Sequence, residues 1–314
     1  MKYENIELSK PSMVVDVIHD GRHKLEPVEF ARESIPYTLH IPELQIAAFT
    51  YTWVNEPGEA GAAIALFGPG IGNKPFQQRM ADRPVSKDMD FSDWRIDSFC
   101  MQQDLRFRRA EVSWQTPEAG IEFTFDAIHP PYAYGSHADG CPSFCAVDRI
   151  EQAGLVSGKI RLGNEVKSFE TLGHRDHSWG CRQWRSFQFY HWFEGKSADG
   201  SIAVHFWRYL ALGVENIRGY VVKDGKMAEV VSVETNIKYE QLWQRDIVLS
   251  VVDDLGRETS INAEFYASHP LVPAPEIELR EAAGKANYDG KAGLAWLEVG
   301  WPSDYLSNLT LSEL

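Results

Sequence analysis

The sequence predicts an all-β fold of two antiparallel β-barrel or half-barrel domains in tandem, and three observations carry that expectation. Short segments of alternating or apolar character recur along the chain, turn signals separate them, and amphipathic helical periodicity is scarce. Val112–Gln115, Ile121–Ile128, Gly158–Leu162 and Ile247–Val252 have the length and pattern of strands. Asn55-Glu56-Pro57-Gly58, Thr116–Gly120, Ala198-Asp199-Gly200, Lys223–Lys226 and Asp253–Gly256 supply turns between such runs. Strands at this spacing form meanders that close into sandwiches or barrels. No βαβ alternation is present, which excludes a doubly wound parallel sheet.

Taken in order, the first feature is Gly68-Pro69-Gly70-Ile71-Gly72 after the apolar run Ala62–Phe67. A dinucleotide loop fails here, because Asn73 stands where the last glycine belongs and Pro75 follows at once. A glycine-rich loop at a barrel mouth is expected instead. The polar stretch Pro75–Asp90 and the later Pro275–Ala286 are read as short helices. His129–Pro142 is rich in Pro, Gly and small residues, so a domain boundary is expected near residue 150, giving domains 1–150 and 151–314. Single cores stop growing near roughly 250–300 residues, and a chain of 314 accommodates that division. His137, Cys141 and Cys145 have helical spacing, yet Gly140 and Pro142 argue against a helix and hence against a metal site. With only four scattered cysteines, reduced thiols are expected.

A net charge of -14 and a pI near 5.2 argue against nucleic acid or an anionic membrane as partner. Met1–Glu7 has no apolar signal region and no apolar run approaches the roughly 20 residues that span a bilayer, so no membrane insertion and a cytoplasmic location are expected. A homodimer is compatible with the composition. Aromatic residues make up 12% of the chain and cluster in alternating segments, the pattern of strands lining a large apolar interior. A lipophilic small molecule is the expected partner.

The densest chemistry lies in Leu172–Trp184, which packs two imidazoles, one carboxylate, two guanidinium groups and two indoles into thirteen residues. Groups so crowded perturb one another's proton affinity, the condition for acid–base work near neutral pH. Two aromatic strands follow, Phe187–Glu194 and Ala203–Tyr209, each carrying a histidine. No Gly-x-Ser-x-Gly nucleophile elbow occurs.

Three pieces of sequence resemble the hydroxyneurosporene synthase and carotenoid 1,2-hydratase superfamily, which includes kievitone hydratase and lipocalin-like Diels–Alderases. They are Asp148–Ile160, the motif His174-Arg175-Asp176-His177-Ser178-Trp179-Gly180-Cys181-Arg182, and the closing stretch Tyr288–Glu298. The resemblance implies two lipocalin-like domains and addition or elimination of water, isomerisation or cyclisation on a lipophilic, often isoprenoid or steroid-like, substrate without a cofactor. The chain departs from the carotenoid hydratases where a Tyr-x-Asp pair would follow the motif, since that stretch holds Val204, His205, Phe206 and Trp207.

The expected catalytic groups are Asp176, His177 and His205. Asp176 serves as proton donor or as orienter of His177, and His205 as the second proton-transfer group. Because Asp176 and His177 alternate on an ideal strand, both reach one site only if the motif bulges, which Gly173 and Gly180 permit. Trp179, Tyr190, Trp192, Trp207 and Tyr209 are expected to shape the pocket and stabilise positive charge. His174, Arg175, His191 and Glu194 are accessory candidates, and Arg182 is read as a lock on neighbouring strands. Two other readings stay open: a non-catalytic carrier of a lipophilic ligand, and a metal-dependent enzyme, although no recognised metal-ligand spacing is present and no metal is expected.

Overall fold

The computed structural model describes residues 3–309, so Met1, Lys2 and 310–314 lie outside the described residues. Apart from 3-10 turns and one short C-terminal helix, regular structure is β throughout. The two-residue strand β1 (Glu7–Leu8) is followed by β2 (Ala31–Ile41), β3 (Ile46–Asn55), β4 (Glu59–Phe67), β5 (Phe76–Pro84), β6 (Trp94–Ile96), β7 (Phe99–Gln103), β8 (Arg109–Gln115), β9 (Ala119–Ala127), β10 (Tyr132–Ala133), β11 (Asp148–Leu162) and β12 (Glu165–Cys181). From β2 to β12 these form the first sheet, in the order β5-β4-β3-β2-β12-β11-β9-β8-β7-β6 with β10 beside β11. The second sheet comprises β13 (Phe187–Ser197), β14 (Ala203–Ala211), β15 (Val214–Lys223), β16 (Lys226–Glu240), β17 (Trp243–Asp253), β18 (Glu258–Ala274), β19 (Ile277–Tyr288) and β20 (Lys291–Pro302). Here β13 pairs with β20 and β16 with β17, so the eight strands close into a ring, and β1 adds in parallel to β16. The helix α1 (Ser303–Asn308) follows.

Both segments expected to be helical are strands. Phe76–Pro84 is the edge of the first sheet, where Arg79, Arg83 and Pro84 leave a poor surface for a further strand to pair with. Ile277–Tyr288 is held in register by β18 on one side and β20 on the other. Closing the ring requires a strand there, and that tertiary demand overrides local propensity.

The passage between the sheets also lies elsewhere than loop composition suggested. After the irregular stretch around 129–147, the chain returns to the first sheet as β11 and β12, and it crosses to the second only at 182–186. The motif strand therefore belongs to the first sheet. A Pro/Gly-rich loop marks a break in regular structure but not which sheet the next strand joins. Here β12 pairs with β2, a partner remote in sequence.

Each sheet has its own core. Ile35, Tyr37, Phe91, Trp94, Trp114 and Phe123 belong to a cluster drawn from the first sheet and its loops. Phe193, Phe206, Val221, Leu249, Ile261 and Leu297 belong to another that takes side chains from every strand of the ring, and so fills its lumen. A third cluster joins the sheets, with Ala47, Ala65 and Phe67 of the first meeting Tyr190, Trp192, Trp207 and Trp296 of the second. Strand alternation explains the division: Phe193 and Phe206 point into the ring, while Trp192 and Trp207 point out toward the first sheet.

Candidate active site

The space between the two sheets contains a cavity of about 640 Å³ with a largely apolar wall. Phe49, Tyr51 and Trp53 of β3 contribute to one side, and Tyr190, Trp192 and Trp207 of the second sheet to the other. Its polar groups come from strands in contact. The antiparallel register of β11 and β12 places Glu151 opposite Asp176, on the same face and next to one another. Two residues from each stand Arg149 and His174.

Arg149 holds the two carboxyls together. Its Nε donates to Glu151 Oε1 at 2.7 Å and its Nη2 to Asp176 Oδ2 at 2.6 Å. Rings of Tyr134, Trp192 and Trp207 lie within 6.0 Å of the guanidinium, which favours keeping a cation in this dry setting.

Glu151 is far better solvated by the protein than Asp176. Trp192 Nε1 donates to it at 3.0 Å, Tyr134 Oη at 3.1 Å and His174 Nε2 at 2.8 Å. Burial opposes its ionisation, but His205, Arg149 and His174 together hold its carboxyl well below the usual range. Asp176 has one donor, and its Oδ1 is buried without a partner. Burial pushes its carboxyl up to about 7, against the pull of Arg149 and with the help of the neighbouring Glu151 charge. One guanidinium thus serves two acids, and the proton resides on Asp176.

His205 stands behind this pair. Its Nε2 is 2.9 Å from Tyr134 Oη and 3.4 Å from Glu151. Since Tyr134 donates to Glu151, the consistent assignment has His205 Nε2–H donating to the Tyr134 oxygen. Burial holds the imidazole neutral, with its pKa lowered to about 3.

Facing Asp176 from the second sheet is another cross-strand acid pair. Glu281 of β19 and Glu298 of β20 are registered opposite each other, and both line the cavity. Trp296 Nε1 donates to Glu281 at 2.6 Å, and Tyr190 Oη donates to Glu298. Burial and the adjacent Glu298 push the Glu281 carboxyl well above the usual range.

The match of known families to this chain is nearly end to end: a domain of unknown function, DUF7064, covers residues 16–303. The chain belongs to the DUF7064 family. No curated protein sequence matches it. Among solved structures, kievitone hydratase from Nectria haematococca is similar in fold, with a TM-score of 0.64 at 9% identity, covering 96% of this chain and 97% of that one. A putative AttH from Nitrosomonas europaea gives 0.63 at 15% identity, covering 94% and 98%. CghA gives 0.60 at 11% identity, covering 87% and 89%. This DUF7064 chain thus shares the all-β fold of these solved structures.

Of the residues singled out in the sequence, Asp176, His174, Tyr190, Trp192 and Trp207 line the cavity. Tyr209 packs behind Trp207, with ring centroids 4.4 Å apart. His205 does not line the cavity but lies behind Trp192 and His174, with ring centroids 5.2 and 5.4 Å away. The motif does not bulge between Asp176 and His177, whose register with β11 is continuous. His177 therefore lies on the opposite face, 2.7 Å from Glu33 Oε1, and Trp179 on that face stacks on His23 at 3.7 Å. Arg175 also points that way, donating to Asp20 at 2.8 Å and Gln103 at 2.7 Å. His191 is in the ring lumen, 3.1 Å from Tyr239 Oη. Glu194 is buried beside Lys196 and accepts from Thr38 Oγ1 at 3.0 Å.

Arg182, read as a strand lock, donates to Ser178 Oγ and also lines the cavity. Sequence reasoning assigned no role to Arg149, Glu151, Glu281 or Glu298. A signal for the first two was available, since Arg149-Ile150-Glu151 alternates two charges on one face of an apolar strand. Glu281 was hidden by its helical reading. Among the described residues, two trios have metal-ligating atoms close together: His23, Glu33 and His177 on the far face, and Glu151, His174 and His205. In the second, Arg149 already occupies the carboxylate.

Proposed function

We propose that this protein is an acid–base enzyme, needing no cofactor, that adds water to, eliminates water from, isomerises or cyclises a lipophilic small molecule, with Asp176 as proton donor. The observation that carries the reading is Asp176 itself. It is 6% exposed, keeps its proton near neutral pH, and has one unpartnered oxygen in the wall of an apolar cavity. An acid with a pKa near the working pH is matched to general acid catalysis.

In the hydration direction, Asp176 gives its proton to an alkene carbon. The cation that forms is stabilised by the faces of Trp192, Trp207 and Tyr190. Water adds to the adjacent, cationic carbon and loses its proton to a carboxylate of the Glu281–Glu298 pair, and exchange with solvent returns both acids to their starting states, so the net change is one water. Elimination is the reverse, with Asp176 protonating the leaving hydroxyl. His174 fixes Glu151, Glu151 fixes Arg149, and Arg149 fixes Asp176. The solved neighbour named a hydratase supports this class of reaction.

The test is incubation with a panel of prenylated phenols and terpenoid alcohols in D₂O, followed by mass spectrometry for deuterium incorporation or a change of one water. Asp176→Asn should suppress any such conversion by on the order of a hundredfold or more. Equal conversion by the variant removes Asp176 from the chemistry. Binding without conversion by the wild-type protein leaves a carrier.

A further inference from the structure

The cavity wall carries a charge imbalance that the proton chemistry does not use. Four arginines line it: Arg32, Arg79, Arg149 and Arg182. Arg149 is neutralised by Glu151 and also donates to Asp176. The partners of the other three are neutral. Arg32 Nε donates to Asn55 Oδ1 at 2.8 Å, and its guanidinium lies 5.4 Å from the Trp53 ring. Arg79 lies 4.9 Å from that same ring. Arg182 donates to Ser178 and lies 5.5 Å from the Trp184 ring. Among the described residues, no carboxylate forms an ion pair with Arg32, Arg79 or Arg182.

The three come from neighbouring places in the fold. Arg32 is registered opposite Gly180, two residues before Arg182, and Arg79 shares the Trp53 indole with Arg32. Three uncompensated guanidinium groups around one end of an apolar chamber repel one another. They do so in a chain whose formal charge is -14, where acidic partners abound. Of the lining acids, Asp176 and Glu281 are pushed toward their protonated forms, so the three guanidinium groups share the wall with one further carboxyl, Glu298, which accepts from Tyr190. Guanidinium groups with free N–H donors recognise carboxylate, sulfonate or phosphate oxygens in a forked geometry.

Resting on the reading of this cavity as a lipophilic substrate site, we propose that the substrate is amphipathic, with an anionic group held by Arg32, Arg79 and Arg182 and a hydrophobic body extending to Asp176. Arg182 reaches back to Ser178, two residues along β12 from Asp176, and Arg32 is registered opposite Gly180, four residues away, so the anion and the reacting carbon are separated by roughly 7–13 Å at strand rise. A body on the order of five to ten carbons in length, or a fused polycycle of that span, fits this spacing.

Two fluorescent probes with the same aromatic body separate the terms. One is 8-anilinonaphthalene-1-sulfonate, and the other is the neutral N-phenyl-1-naphthylamine. The full chain should bind the sulfonate about tenfold or more tighter than the amine, with the preference shrinking as salt is added. The Arg32→Gln/Arg182→Gln protein should lose that preference while binding the amine within about twofold of wild type. Arg79→Gln, altered at an exposed edge-strand position, is the second variant, should the first fail to fold, and should lower sulfonate affinity alone. Equal affinity of the wild type for both probes, or equal weakening of both in the variants, overturns the anion site and leaves the lipophilic cavity intact. Failure of both probes to bind overturns the cavity reading as well.

Discussion

Replacing Asp176 by Asn separates the two roles a buried aspartate beside an arginine can play. Asn keeps an oxygen for Arg149 Nη2 and mimics the protonated acid in shape. If Asp176 holds a proton in the native state up to about pH 7, native protein retains a proton that unfolded chain releases above the ordinary value of 3.8. Between those limits the native state binds more protons than the unfolded state, so this site's contribution to stability falls as pH rises. A displacement from 3.8 to about 7 corresponds to roughly 4 kcal/mol, an upper bound where neighbouring acids titrate together. Urea unfolding of both proteins from about pH 4 to pH 8 gives the difference directly. Wild type minus Asp176→Asn should decline by up to about 4 kcal/mol across that window, because only the wild type must bury a charge at the upper end. An ionised Asp176–Arg149 pair reverses the sign. The wild-type advantage would then stay level from about pH 5 to pH 8 and fall only as the pH drops below that, and the assignment of Asp176 as proton donor would be refuted.

Three further substitutions examine the supports of this site. Glu151→Gln leaves Arg149 with a weaker partner and turns a donor toward His174 or Arg149, so a loss of roughly 3–5 kcal/mol in urea unfolding is expected; a loss under about 1 kcal/mol contradicts the central place given to Glu151. His205→Phe removes the donor to the buried Tyr134 oxygen and should cost about 1–3 kcal/mol while amine-probe binding persists, as fluorescence titration will show. His177→Gln acts on the far face, where His177 and His23 both meet Glu33. It should speed tryptic cleavage near Arg22 and Lys24 without changing probe affinity; a change in affinity would place His177 within reach of the cavity after all.

The fold class was legible because short alternating segments and turns need little context to be read. Ile121–Ala127 and Ile247–Val252 both fall in strands, where period-two patterning against a single core leaves an unmistakable trace. Pro275–Ala286 was misread because a strand packed on both faces, Ile277, Leu279 and Ala283 against the first sheet and Ala282 in the lumen, loses that alternation. Asp176 stood out through the crowding of its motif. Its decisive partners did not, because Arg149 and Glu151 lie on a different strand, and only the β11–β12 register brings them beside it. His177 was grouped with Asp176 by proximity in sequence, whereas strand geometry sends adjacent residues to opposite faces.

The two acid pairs express one structural logic. Glu151 faces Asp176 across β11 and β12, and Glu281 faces Glu298 across β19 and β20. Like charges directly opposite one another on adjacent strands are destabilising, and more so where water is excluded. Neither pair can ionise fully, so each retains a proton: on Asp176 in the first, because Glu151 has more donors, and within the Glu281–Glu298 pair in the second. These pairs point outward from their own sheets, where the residues of a lone barrel would meet solvent. Apposing the two sheets turns those outer faces into the walls of one apolar chamber, while the ring lumen remains filled by Phe193, Phe206 and their neighbours. The second barrel is thus a wall rather than a container. By burying what would otherwise be solvated carboxylates, it makes each cross-strand pair retain a proton that exposed carboxyls would release.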